Sequence, residues 1–385
     1  MPLPVNTHQQ STSQISSPLN EGFSGSFSPL DITFLLKIVT LEPMSIESRE
    51  ARIQSGEGHY SEMIGPEEPP EPQYLDIFKR SFERNCKRLA RDCLALAAML
   101  SGAVPNDPIA LISIPRSGTP IGVMVAKILK DILKRKVNHY GISIIRDRGI
   151  DLNALKYVLE RHPESQIIFL DGWTGKGVIA SELKNSIQKF NQQTRYSLSG
   201  ALAVLSDPAG KADLAVSADD WLIPTSLLNS VVSGLISRTI LNDDLIGPHD
   251  FHGCLFYPEL APFDLSQQIV NSISALASEA YARDPAIIFF SPVDPQILNE
   301  AQKQNTLFME KLSREFKITN LNYIKPGLGE ATRVLMRRAP EILMVKDFSD
   351  PDLEHALFLA HKRRVPVRLE PNLPYRAAAV IKQLY

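Results

Sequence analysis

The spacing of apolar residues changes character near residue 105. Before it, Leu75, Phe78, Phe82, Leu89, Cys93, Leu96 and Leu100 recur at helical intervals and predict one long amphipathic helix over 74–100. After it, short apolar runs at 109–114, 140–145, 167–170 and 201–205 alternate with helical stretches, among them one bearing Ile121, Val125 and Ile128 and one over 152–161. Buried strands alternating with helices predict an α/β fold with a parallel sheet covered on both faces. In such sheets ligands collect beyond the C-terminal ends of the strands, and the polar loops of this chain lie there.

The flanking regions read differently. Residues 1–22 are rich in Ser, Gln, Asn and Pro and predict a disordered tail. A region at 23–105 is read as helical and packing on the core, with a capped helix start at Asp31 leading into 32–36, and with a proline-rich break at 65–72. The core with an overlying hood spans 106–290, with a helix over 266–282, and a helical linker follows over 291–320. Residues 321–385 form a small unit of their own: a helix opening near Lys325, a strand at 341–346, a helix over 350–363, a strand at 365–369 and a closing helix.

Composition changes this picture little. With 385 residues, 44% hydrophobic and a formal net charge of -2, the chain has enough material for two or three domains and is not a basic nucleic-acid binder overall. Any nucleic-acid surface must be local. The three cysteines, Cys86, Cys93 and Cys254, show neither disulfide nor zinc spacing. No run is long and apolar enough for a membrane span and no secretory signal is legible, so a cytoplasmic location is expected.

Three loops carry candidate chemistry. The run from Ile167 to Asp171 leads into Gly172, Trp173, Thr174, Gly175, Lys176 and Gly177 and then into a helix. Glycines there let backbone amides converge on an anion at a helix N-terminus, Thr174 supplies a hydroxyl, Lys176 a full charge, and Asp171 an acceptor for sugar hydroxyls or a partner for Mg²⁺. The other reading is a strand-to-helix turn with no ligand. A second loop, with Arg116, Ser117, Gly118 and Thr119, also joins a strand to a helix and suits an anion. In the third, Arg146 and Arg148 follow a strand, where guanidinium groups would stabilise a departing pyrophosphate or else cap a helix through Asp147.

Five segments together carry a family resemblance: 25–36, 59–63, 143–151, 169–177 and 241–253. They resemble a phosphoribosyltransferase family fused to a Pelota-type RNA-binding domain, a family also labelled cysteine protease StiP and associated with tellurite resistance and stress. The resemblance implies a type I phosphoribosyltransferase-like core with helical N-terminal and hood segments and a small C-terminal αβα Pelota-like domain. It implies phosphoribosyl pyrophosphate as substrate, in either direction of reaction, with Mg²⁺ as cofactor and a nucleobase or RNA-linked acceptor. Asp171, Arg146 and Arg148 would be catalytic. One departure is that Leu170 stands where the family has a first acid. The polar stretch with Asn229, Ser233, Arg238, Asn242, His249 and His252 would form the hood, of which Asn242, His249 and His252 are the residues carried forward.

In the C-terminal unit, Lys325, Gly327, Gly329, Glu330, Thr332 and Arg333 match the Pelota signature of a glycine loop before Glu-Ala-Thr-Lys/Arg, with Gly329 in a place where Asn is usual. The resemblance implies contact with RNA there, through backbone amides and Arg333, extended by Arg337 and Arg338. The expected partners are thus a phosphorylated sugar or nucleotide and RNA, with no membrane, and with self-association left open. Two other readings stand beside transfer: a non-catalytic nucleotide-sensing RNA-binding regulator, and a cysteine hydrolase in which Cys254 and His252, two apart on a strand, share a face.

Overall fold

A computed structural model describes residues 22–290 and 292–384. The tail expected over 1–22 falls, but for its last residue, outside the described residues. In chain order, β1 (Thr33–Leu35) and β2 (Lys37–Ile38) precede α1 (Ile46–Ser55) and α2 (Pro72–Ala103). Then come β3 (Ile109–Ser113), α3 (Gly118–Asp131), β4 (Val137–Ile142), the hairpin β5 (Ile144–Ile145) and β6 (Gly149–Ile150), α4 (Leu152–Arg161), β7 (Gln166–Trp173), α5 (Val178–Gln193), β8 (Leu202–Ser206) and β9 (Leu214–Ser217). A winding segment leads through β10 (Gly253–Cys254) to α6 (Ser266–Arg283).

The central sheet has the order β1-β4-β3-β7-β8-β9, and every neighbouring pair is parallel. β3 and β7 carry the burial expected of strands covered on both faces: all of β3 and the middle of β7 are buried. Helices α2, α3 and α6 cover one face, and α4 and α5 the other. The chain steps from β3 outward to β4 and then returns across β3 to β7. The order therefore reverses between β3 and β7, and the crevice beyond their C-terminal ends is the place where such sheets take ligands.

One strand corrects the sequence reading. The expected helix start at Asp31 is instead β1, which extends the sheet by pairing Phe34 with Gly141. A local capping pattern lost to burial: Phe34 and Leu35 are wholly enclosed, and only a strand at the sheet edge covers them on both sides.

The C-terminal unit is a four-stranded mixed sheet, β11 (Ile324–Pro326), β14 (Ala377–Ile381), β12 (Pro340–Val345) and β13 (Val367–Leu369), with α8 (Leu328–Arg337) and α9 (Glu354–Lys362). Its last element is the strand β14 where the sequence reading had a helix. The run of Ala377, Ala378 and Ala379 is helix-prone in isolation, but here it lies in one of the sheet's two inner strands and is fully buried. The helix α7 (Pro295–Glu315), expected to be a linker, packs Phe308, Met309 and Leu312 against Ile324, Tyr375 and Val380 of this unit. The main hydrophobic cluster runs without a break from α2 and α3 into α8, β12 and β14.

Candidate functional site at the junction of core and C-terminal unit

The crevice at the reversal point is roofed by the C-terminal unit. A cavity of about 300 Å³ lies there, lined by the 173–177 loop, by Asp171, by Arg49, Arg146 and Arg238, and by Lys325, Glu330, Arg333, Arg337 and Arg338. Its lining is strongly cationic, as a site for an anion requires.

Within it, the expected phosphate loop is largely spoken for. β7 runs on through Gly172 and Trp173, which shortens the loop to Thr174–Gly177. Thr174 is buried, donates its hydroxyl to Asp207 and its amide to Ser206 O at 3.0 Å. It pins the loop to β8 and has no hydrogen left for a phosphate. Lys176 donates to Leu321 O at 2.6 Å, and burial beside Lys325 brings its ammonium down to about 7. Gly175 has Glu330 against it so closely that a Cβ there would lie 2.6 Å from Cγ of Glu330. Gly177 holds the left-handed φ of 82° from which α5 starts.

Asp171 sits at the crevice floor. It accepts from the Ser117 hydroxyl and, at 2.7 Å, from the Gly172 amide. Burial outweighs these bonds and Arg333, and pushes its carboxyl up to about 6. Mg²⁺ expected here would find Asp171 and the other carboxylate in the lining, Glu330, which is engaged by Arg333; among the described residues no cluster of three or more His, Cys, Asp or Glu is found. The second loop is also closed on itself. The Ser117 hydroxyl is used by Asp171, the Gly118 amide donates to Ile114 O at 2.9 Å and the Thr119 amide to Arg116 O at 3.2 Å, while the Thr119 hydroxyl is buried without a partner. Arg116 points away from these amides toward Glu67, at 3.1 Å.

The two arginines of the third loop part company. Arg146 lines the cavity, stacked over Tyr60 at 4.8 Å and bonded to Asp147, whereas Arg148 pairs outside it with Glu62 at 2.8 Å. The three hood residues do not reach the cavity. Asn242 donates to Glu62 O at 3.2 Å, His249 is exposed, and the His252 ring lies 2.8 Å from Ser143 Oγ. Two other members of that polar stretch, Asn229 and Arg238, do face inward and line a neighbouring cavity.

The Pelota-type signature turns toward the core. Gly329 lies so near the Trp173 indole that a Cβ would come within 2.6 Å of it, and the Arg333 guanidinium stacks on the same indole at 4.5 Å. Glu330 accepts from Arg333 at 2.6 Å and has Lys325 at 3.8 Å. Although burial opposes ionisation, these cations hold its carboxyl near 2. The amide of Leu328, first residue of α8, is taken by Asp220 at 2.9 Å, and Gly327 donates to Ala377 O at 3.0 Å. Thr332 is buried and spends its hydroxyl on Leu328 O and His355. Arg337, expected on the outer basic surface, is turned inward to Asn229, and Arg338 is paired with Glu50. Sequence reading missed Asp220, Asp207, Glu67 and Arg49. Asp220, Glu67 and Arg49 each act through a partner more than a hundred residues away and Asp207 through Thr174, 33 residues away, and no local pattern signals such contacts.

The thiols complete the inventory. Cys93 and Cys254 are wholly buried, and Cys86 is half-buried with its sulfur on Glu83 O at 3.5 Å. Burial pushes the Cys254 thiol far up, so it is protonated in the folded chain.

Known proteins agree on the family. The profile described as "Tellurite-like stress resistance cysteine protease StiP" matches residues 25–274, and that of the PELOTA RNA binding domain matches 303–383. The chain is 39% identical over 377 residues to a protein of Acinetobacter baylyi named "Cysteine protease StiP", covering 95% of this chain and 96% of that one. A solved structure, a hypothetical protein from Neisseria gonorrhoeae with bound ppGpp, is 17% identical, and the match covers 31% of this chain and 66% of that one with a TM-score of 0.22. The expected transfer from phosphoribosyl pyrophosphate is overturned by the relative and the profile, both named as a cysteine protease. The geometry gives a physical reason, since Glu330 and the internal bonds of Thr174 fill the loop meant for the sugar phosphate. With a profile match over most of its length and an end-to-end relative, the chain belongs to the StiP family of tellurite-like stress resistance proteins, with a Pelota RNA-binding domain at its C-terminal end.

Proposed function

We propose that the protein is a thiol-dependent hydrolase of peptide bonds acting in stress resistance, with Cys254 as the nucleophile. The observation that carries this is the end-to-end likeness to a protein named a cysteine protease. Among the three cysteines, Cys254 alone has a histidine two positions away, in His252. A thiolate attacks the peptide carbonyl, the amine leaves with a proton from the histidine, and water then cleaves the thioester. In the folded chain Cys254 is enclosed by pairing of β10 with β2 and by a bridge from Ile240 to Gly253, and His252 is held by Ser143. The proposal therefore includes latency: the 252–254 segment must lift off β2 before the thiol ionises. Digestion of labelled casein by the full chain tests it. Cys254→Ala should abolish cleavage and Cys86→Ala should leave it intact. Undiminished cleavage by Cys254→Ala removes Cys254 as the nucleophile.

A second activity is supported by the cationic cavity beside the C-terminal unit. The Pelota domain match supports RNA binding, and Arg146, Lys176, Lys325, Arg333 and Arg338 line the cavity, where an RNA phosphate would displace Glu330 from Lys325 and Arg333 and Glu50 from Arg338. Fluorescence anisotropy with a labelled single-stranded RNA should show affinity falling steeply with salt, and Arg333→Ala should weaken it. Salt-independent or absent binding sinks this reading.

A further inference from the structure

On the other side of the cationic cavity lies a larger one, of about 430 Å³. The two share Arg49, Arg238 and Arg337, which stand between them as a wall of guanidinium groups. Arg116 joins the wall from the second cavity. Proline-rich residues 65–70, which the sequence shows only as a break between helices, form one side of this cavity.

The wall is short of negative charge. Among the described residues, the one carboxylate paired with any of these four arginines is Glu67, at 3.1 Å from Arg116. Glu67 also accepts from the Ser230 amide at 2.8 Å. Arg337 has only the side-chain oxygen of Asn229, which Arg116 shares at 3.3 Å. Arg49 donates to Arg337 O at 3.2 Å, and Arg238 to the carbonyl oxygens of Tyr60 and Met63. The Arg116 side chain is 8% exposed, and the enclosed Nε atoms of Arg49, Arg116 and Arg337 have no hydrogen-bond partner. Unpaired buried cations are costly, and a fold that keeps several together holds them for an anion. Away from the wall, Ile64, Leu228, Val231, Leu335 and Phe358 give the lining an apolar stretch, while Glu68 and the Glu71–Lys362 pair with Arg363 complete its charged part.

We propose that this cavity binds an organic oxyanion with an apolar body. Its charged end bonds to Arg116 and Arg337 beside Asn229, and its body lies against Leu228, Val231 and Phe358. The ligand class is a carboxylate or phosphate monoester of modest size. The site is distinct from Cys254 and lies across the arginine wall from Arg146, Lys176, Lys325 and Arg333, and it does not depend on either reading above.

Thermal unfolding of the full chain tests it with phenyl phosphate and phenylacetate as probes, and with inorganic phosphate and benzyl alcohol as controls. At least one aromatic anion should raise the melting temperature by ~3 °C or more at saturation. Which of the two does so identifies the headgroup. Both controls should do less, since each has half of the required chemistry. Arg337→Met should melt no lower than the parent without probe, because it removes an unpaired buried cation, and should lose the response. Asn229→Asp, which places a carboxylate between Arg116 and Arg337, should melt higher and also lose it, and serves if Arg337→Met does not fold. Absence of a shift with both aromatic anions, or an equal shift in the variants, overturns the site. A shift as large with inorganic phosphate alone overturns the apolar half.

Discussion

Two clusters of charge meet at the junction between core and C-terminal unit, and they are neutralised in opposite ways. At the start of α8 the chain supplies its own anions: Asp220 takes the Leu328 amide and Glu330 sits among Lys325, Lys176 and Arg333. At the arginine wall the chain supplies one carboxylate, Glu67, and leaves enclosed guanidinium nitrogens without partners. Both clusters are basic in sequence. The difference teaches that a helix N-terminus or a glycine loop is not a vacant anion site until its amides have been accounted for. An arginine cluster in which one carboxylate serves four guanidinium groups, with enclosed nitrogens left over, is the stronger sign of an external ligand.

The comparison can be broken at its closed side first. Gly329→Leu forces a side chain into the Trp173 indole, since even a Cβ at this position would lie 2.6 Å from it. It should cost about 3 kcal/mol in urea denaturation and shift indole fluorescence as Arg333 leaves the ring. If stability is unchanged, α8 does not rest on the core as described.

The next effect is at Asp220, which accepts from Leu328 and, at 2.8 Å, from the Arg376 amide. Asp220→Ala strands both donors and should cost about 2 kcal/mol by the same measurement. Asp220→Asn keeps an acceptor and should cost less than half of that.

The last effect is a change of slope with pH. Burial first, against their hydrogen bonds, raises both Asp171 and Asp220 from near 3.8 to about 6. Between these values the folded chain holds protons that the unfolded chain has released. Their contribution is therefore complete below about pH 4 and lost as pH rises through 6, about 1–3 kcal/mol for each. Other carboxylates act in the opposite sense, so the readout is a difference between parent and variant. Asp171→Asn, which still accepts from Ser117 and Gly172, should gain stability relative to the parent between about pH 4 and 6. A difference that stays constant over that range contradicts the raised carboxyl.

Much of the core was legible. The period of apolar residues locates α2, α4 and the strands β3, β7 and β8 within a few residues, because enclosed parallel strands are apolar throughout and surface helices are apolar on one side. Reading failed where burial overrode local preference. Thr33–Leu35 has a helix-start pattern before it and is a strand, and Ala377–Ile381 has helix-prone alanines and is an inner strand of a sheet. Two of the candidate loops, after β3 and after β7, lie at the reversal of strand order, and the third lies in the β5–β6 hairpin. Their availability was misjudged because Thr174, Ser117 and Leu328 are used up by Asp207, Asp171 and Asp220, partners that sequence spacing does not reveal.

The sequence by itself determined the parallel α/β core, the strand-to-loop-to-helix junctions and the signature of the C-terminal unit, because each rests on periodicity or on residues close together in the chain. Only the tertiary structure decided which charges are satisfied and which are left for a ligand. Arg49, Glu67, Arg116, Asn229, Arg238 and Arg337 come from four separate stretches of sequence, and their balance of charge exists only once the C-terminal unit has closed on the core.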